Sequence, residues 1–395
     1  MTTPNDRSSA RPAQDNSSIV DAARKVVATK GLSGMSLRTV AEEAGTSVGS
    51  ISYRIGDRAA LIAAIAEREI ELMAATSAQW RERLGGLDPV ATGILADLIC
   101  EWLDEGAGAR RVSAIVTCEL ALLASRDPAA LPGMAALLDH GEALWRDLLR
   151  ASPKAGPLAL FIASYCLDEQ PFSILLAGET DYRLLRHSTV RGMLRELGQG
   201  QACPGDASAW HMALVDRLAV PAGPAHDATA KVPEGNKAVL ADHIADLISS
   251  QGVGGLSHRA VAQVSGTATS SVAHHFPAHR DILFAGVETL YRRMRSEIRS
   301  TRAATPAHAE IVRLTHECAL TALADPAFRP FAIDMRRRRA ENVHVQFAEW
   351  LGIPAGSDRA RVQAAVMASI GARLRAMATP STPQTGPDLV RSFQV

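Results

Sequence analysis

Two short runs of this 395-residue chain crowd hydrogen-bonding side chains together. In the first, Ser47, Ser50 and Ser52 lead into Tyr53 and Arg54; in the second, Thr267, Thr269, Ser270 and Ser271 lead into His274 and His275. The hydroxyls can donate to phosphates or base edges, and the longer side chains can reach deeper into a duplex groove. Gly49, in the middle of the first run, allows its backbone to approach a partner closely. The plain alternative is that several of these residues pack or cap helix ends. His274, His275 and His279 raise the idea of a metal site, but their place on one short run and the turn after it argues against one, so no metal is expected. No glycine-rich phosphate loop, nucleophile elbow or paired metal motif is present, which leaves no residue on which to place catalysis and no cofactor to expect.

The elements that must carry these runs can be read from the flanking pattern, because the chain repeats it. Gly31 to Leu61 recurs as Gly252 to Ile282 at a constant offset of 221 (252 − 31). Gly31, Gly34, Ser36, Arg38, Val40, Ala41, Gly45, Thr46 and Ser50 return as Gly252, Gly255, Ser257, Arg259, Val261, Ala262, Gly266, Thr267 and Ser271. Ahead of each copy lies the stripe of an amphipathic helix, Ile19, Ala23, Val26 and Val27 or Leu240, Ile244, Leu247 and Ile248. Ser36 and Ser257 are placed to cap second helices, Leu37 to Ala44 and His258 to Ser265, closed by Gly45 and Gly266. A third short helix follows directly. Helix, tight turn, helix is the arrangement that puts its second member into the major groove.

Over about 45 residues of each copy, the chain resembles the DNA-binding domain of the TetR family of transcriptional regulators. The match is Val48-Gly49-Ser50-Ile51-Ser52-Tyr53-Arg54-Ile55 in the first copy and Ser270-Ser271-Val272-Ala273-His274-His275-Phe276 in the second. The resemblance implies that Ser47 to Arg54 and Ala268 to His275 read DNA, supported by Ser36, Arg38, Ser257 and Arg259. It gives Arg58 the place of a phosphate-binding lysine near a helix N-terminus, with His279 at that place in the second copy. The two recognition helices differ, so their half-sites should differ.

A further run repeats at another offset. Glu119, Ala121, Leu122, Asp127, Pro128, Ala129 and Pro132 return as Glu317, Ala319, Leu320, Asp325, Pro326, Ala327 and Pro330, 198 residues later (317 − 119). The duplication thus reaches beyond the reading heads. The expected fold is all-α: two TetR-like units, each a helix-turn-helix domain plus a helical effector and dimerisation domain, packed as an intramolecular pseudodimer. The expected boundaries are an arm at 1–16, a first head at 17–62, a first helical domain at 63–220 and a linker at 221–236. A second head at 237–284, a shorter helical domain at 285–379 and a tail at 380–395 follow. Fusion makes pairing of the halves intramolecular, with further association left open.

Composition sets looser bounds. Hydrophobic residues are 47% and aromatics only 4%, which suits helices packed through Ala and Leu. Net charge is zero, so charge neither advertises nor excludes nucleic-acid binding. The odd count of five cysteines, without close pairs, suggests a reducing compartment. No secretory segment is evident, and the apolar run Pro157 to Leu167 is too short for a bilayer. A cytoplasmic protein without a membrane partner is expected.

A small organic effector is the second partner that the resemblance implies. Trp102, Trp145, Phe161, Tyr165, Cys166 and Phe172 can line an apolar cavity, with Glu119 and Asp168 orienting a polar group. Plain core for the aromatics, and solvent or an arginine partner for the carboxylates, are the alternatives. Arg336 to Arg339 reads as a solvated helix face, or else as a patch for nucleic acid or an anionic ligand. The resulting expectation is a repressor of an imperfectly palindromic operator, released by its effector. The alternative is a sensor or interaction module whose second head no longer binds DNA.

Overall fold

In the computed structural model, residues 16–195, 207–219, 235–300, 308–341, 343–379 and 390 are described, and every regular element among them is a helix. Most of the expected linker, arm and tail lie outside the described residues. The stripe of α1 (Asn16–Lys30) is fully buried, and the helix stops at Gly31, where φ is +69°. Ser36 caps α2 (Leu37–Ala44) by a reciprocal exchange with Thr39, at 2.9 and 3.1 Å. Gly45 ends α2 at φ +64°, a conformation favouring glycine, and α3 (Val48–Arg54) follows within three residues. Asp57 caps α4 (Arg58–Arg83) through the Ala60 N–H at 2.9 Å.

The fourth helix runs on to Arg83, with Ser77 and Trp80 facing the core. Before α5 (Leu95–Ala107), Asp88 Oδ1 accepts from the Val90 and Ala91 N–H groups and holds a turn. Then come α6 (Arg111–Arg126), α7 (Gly133–Leu148), α8 (Ala155–Leu176), α9 (Thr180–Met193) and α10 (Ala207–Arg217).

The C-terminal half opens with α11 (Asn236–Gln251), α12 (His258–Ser265), α13 (Thr269–His275) and α14 (His279–Ser300). It ends with α15 (His308–Ala324), α16 (Arg329–Arg337), α17 (His344–Trp350) and α18 (Arg359–Ala378). Ser257 caps α12, Gly266 closes it at φ +66°, and Asp127 and Asp325 cap matching 3-10 turns at Pro128–Ala130 and Pro326–Phe328. None of the described helices is long and apolar enough to cross a membrane.

The two halves share their cores. Leu374 and Ala378 of α18 complete the core beneath α1–α4, while Phe172, Leu175, Leu176 and Tyr182 enter the core of α11–α16. α8 runs along α18, where a Cβ on Gly371 would fall on the Ser164 carbonyl. Only glycine permits that approach.

Ionic groups are buried at this seam. Glu169 on α8 takes Arg336 from α16 in a forked pair at 2.6–3.1 Å, both side chains fully inaccessible. Tyr165 and Tyr182 donate to the same carboxylate at 2.9 and 2.6 Å, and Gln363 Oε1 accepts from Arg336 at 2.9 Å. Beside them, Arg339 donates to Asp168 at 2.9 Å. The expectation of a solvated face for Arg336 to Arg339 is therefore wrong for Arg336 and Arg339: each meets a carboxylate from a helix more than 160 residues away in sequence.

Removing one member of a buried pair strands the other. Arg336→Met is expected to cost about 3–5 kcal/mol in urea unfolding, and Arg336→Met with Glu169→Leu to cost less than the single change. A double variant at least as damaged as the single would count against this account. Burial holds His187 and His316 below the usual imidazole range and His211 down at about 3. Each takes up a proton less readily in the fold than in the unfolded chain, which gains protons below about pH 6.5. Stability is therefore present above that pH and lost as pH falls, so the urea midpoint should drop between about pH 7.5 and about pH 5.5, ahead of ordinary carboxylate titration. A flat midpoint across that window would refute it.

Candidate nucleic-acid interface and ligand cavity

The first short helix, α3, is anchored by one side chain and otherwise faces out. Ile51 is fully buried, whereas Ser47, Val48, Gly49 and Ser52 are exposed and Tyr53 is 91% exposed. Ser50 and Arg54 are half-buried. Ser47 caps the helix, its Oγ accepting from the Ser50 N–H at 3.1 Å. A Cβ on Gly49 would meet only Ser47 Oγ, at 3.9 Å, so nothing within the fold demands glycine there. Ser36 is occupied by its cap, and the exposed Arg38 pairs with Glu42 at 3.1 Å.

The matching helix α13 is anchored likewise by Val272, with Thr267, Thr269, Ser270, Ser271 and His274 exposed and His275 half-buried. Ser257 Oγ caps α12, Arg259 is exposed, and the rings of His274 and His275 meet edge to face at 5.4 Å. Ala268 at the N-cap offers no side-chain hydrogen bond, unlike Ser47.

Arg58 and His279 do the same local work. Arg58 donates to the Leu32 and Met35 carbonyls at 2.8 and 3.2 Å, and His279 Nε2 lies 3.0 Å from the Leu256 carbonyl. Each ties the start of its long helix to the turn after α1 or α11. Both side chains thus hold the fold locally, a role the sequence did not indicate.

The expected effector residues do not form one site. Trp102, Trp145 and Cys166 line a cavity of about 90 Å³, with Met73, Arg110, Ser113, Thr117, Cys118, Gln170 and Arg375. Trp80, Trp102 and Trp145 meet edge to face at 5.4–6.3 Å, and the Arg110 guanidinium lies 3.8 Å above the Trp102 ring. Burial pushes the Cys118 thiol up to about 12 and Cys166 further; both are neutral, apolar wall. Arg375 arrives from α18 and pairs with Asp139 and Glu142 of α7, at 2.5 and 3.0 Å. No periodicity within the first half could have revealed it.

The other five expected residues lie elsewhere. Phe161 packs in the tryptophan core beside the cavity. Tyr165, Asp168 and Phe172 face the seam, where Tyr165 donates to Glu169, Asp168 accepts from Arg339, and the Arg339 guanidinium lies 5.3 Å from the Phe172 ring. Helical spacing places residues 165, 168 and 172 on one face of α8, and that face turned out to meet the C-terminal half. Glu119 is a strut: its carboxylate accepts from the Leu32 N–H at 3.2 Å, just past Gly31. Glu317 accepts from the Val253 N–H at 3.3 Å, just past Gly252, and also pairs with Arg126 of α6. Burial raises the Glu119 carboxyl, against the opposing Leu32 hydrogen bond and Arg126 charge.

Compared with known proteins, residues 19–65 match the family model described as bacterial regulatory proteins, tetR family. No curated protein matches the chain. The matched segment runs from α1 into α4 and includes the exposed face of α3, and the match supports a TetR-like, DNA-binding transcriptional regulator.

Proposed function

We propose that this chain is a single-chain TetR-like repressor that reads an imperfectly palindromic operator with two unlike heads, α2–α3 and α12–α13. The observation that carries the reading is the contact of Ser33 with Gly254. A Cβ on Gly254 would fall 2.5 Å from Ser33 Cβ, and the two positions differ by the repeat offset (254 − 33 = 221). In a twofold assembly a residue meets its own counterpart only near the axis. The paired struts, Glu119 on Leu32 and Glu317 on Val253, lend support.

The effector would enter beside Trp102 and Trp145. A cavity of about 90 Å³ is below the usual ligand range of about 300–1,000 Å³, so binding must widen it. Its wall includes Cys118, and the next residue, Glu119, holds the first head; Arg126 on the same helix reaches the second head through Glu317. Movement of α6 would therefore reach both heads together. An effector that binds the widened state more tightly would lower operator affinity by that differential alone.

A second reading, in which the C-terminal head no longer binds DNA, is favoured by the missing side-chain cap at Ala268. Selection from random DNA, followed by light-scattering mass of the complex, separates the two. One chain on one asymmetric site is the expected result, and two chains on a perfect palindrome would overturn it. Binding abolished by Arg54→Ala yet indifferent to His274→Ala and His275→Ala would select the second reading. Gly49 provides a separate check: alanine is favoured over glycine within a helix by about 0.5–1 kcal/mol, and the fold leaves room for it. Gly49→Ala should melt no lower than the parent yet bind the operator about tenfold or more weakly. Undiminished affinity would remove Gly49 from the interface.

A further inference from the structure

A second cavity, of about 320 Å³, lies where α10 meets α16, α17 and α18. At about 30 Å³ per water, that is room for roughly ten waters. Arg337, Arg338, Arg339 and Arg359 line it, with two carboxylates, Asp216 and Glu341, both exposed. Three of the arginines already have partners: Arg337 on Asp334 and Arg338 on Glu341, with Arg339 on Asp168. Arg359, the first residue of α18, is half-buried and has no carboxylate partner among the described residues. His344 also lines the cavity; it is 4% exposed, and its Nε2 has no hydrogen-bond partner among the described residues. A buried polar atom in that condition calls for a ligand or ordered water.

Two more observations converge on the same place. Burial, and then the positive charges of Arg336, Arg195 and Arg359, hold the lining residue His211 at about 3. The described non-glycine residues with positive φ are Ala340, at +75°, and Asp358, at +39°. Ala340 lines the cavity and Asp358 directly precedes Arg359. L residues hold such conformations only where the surroundings impose them, and they gather at ligand clamps.

We propose that this cavity binds a phosphate monoester, with the Arg359 guanidinium and His344 Nε2 on the phosphate. A planar guanidinium fork matches phosphate oxygens, and the volume exceeds what a bare ion fills, leaving space for the esterified group. The proposal is independent of the operator and effector readings, since it involves neither the heads nor the tryptophan cavity.

Titration calorimetry of the full chain at fixed ionic strength tests it, with ribose 5-phosphate, inorganic phosphate, ribose and malonate as probes. Ribose 5-phosphate should bind more tightly than inorganic phosphate, and ribose should give no heat. Arg359→Gln should weaken ribose 5-phosphate by about tenfold or more. Arg183→Gln, an exposed change on α9, should not. Should Arg359→Gln fail to fold, Arg359→Lys serves instead, keeping the charge and losing the fork. No heat with ribose 5-phosphate, affinity unmoved by both Arg359 changes, equal loss in Arg183→Gln, or malonate bound as tightly would each overturn the proposal.

Discussion

The pair between Glu169 and Arg336 is the constraint on which the arrangement of the halves rests. Taking either charge out of water costs several kcal/mol, and the loss is offset only when every donor and acceptor finds a partner. Here the carboxylate receives the forked guanidinium and two tyrosine hydroxyls, and the guanidinium also reaches Gln363. Burial alone would push the Arg336 guanidinium down, but the charge and hydrogen bonds of Glu169 carry it above its ordinary range. Tyr165 and Tyr182 are raised by burial and then by Glu169, so they remain donors. A slip of α16 along α8 would leave several buried polar groups unpaired at once. Apolar packing tolerates small displacements; a network of this kind selects one register.

Around that seam, α6 contacts both halves. One turn of it touches the tryptophan cavity, the next residue holds the turn after α1, and its C-terminal arginine reaches the equivalent turn of the other half. Helices transmit displacement well because their backbone hydrogen bonds keep neighbouring residues in fixed relation. Arg375 links α18 to the same cavity through α7.

The two cavities differ in kind. The tryptophan cavity is small and walled by apolar rings and neutral thiols, with Arg110, Gln170 and Arg375 as its larger polar groups. The cavity under α10 is larger and lined by arginine and histidine. The two would answer to different chemistry.

Sequence by itself determined the local architecture. The stripe of α1, the Ser36 and Ser257 caps and the left-handed Gly45 and Gly266 are all short-range matters of propensity and hydrogen bonding, and each is found where the residues indicate. The outward face of α3 was legible for the same reason, since a seven-residue helix anchored by Ile51 must present its other side chains. Tertiary structure decided which side of a buried helix meets what. Nearly the whole of α8 is buried, so periodicity could not say that Cys166 would face the cavity while Tyr165, Asp168 and Phe172 faced the other half. Nor could it pair Glu169 with Arg336, or show that Glu119 is a strut. Those partners lie far apart along the chain, and a buried charge is satisfied by whichever group the fold brings to it.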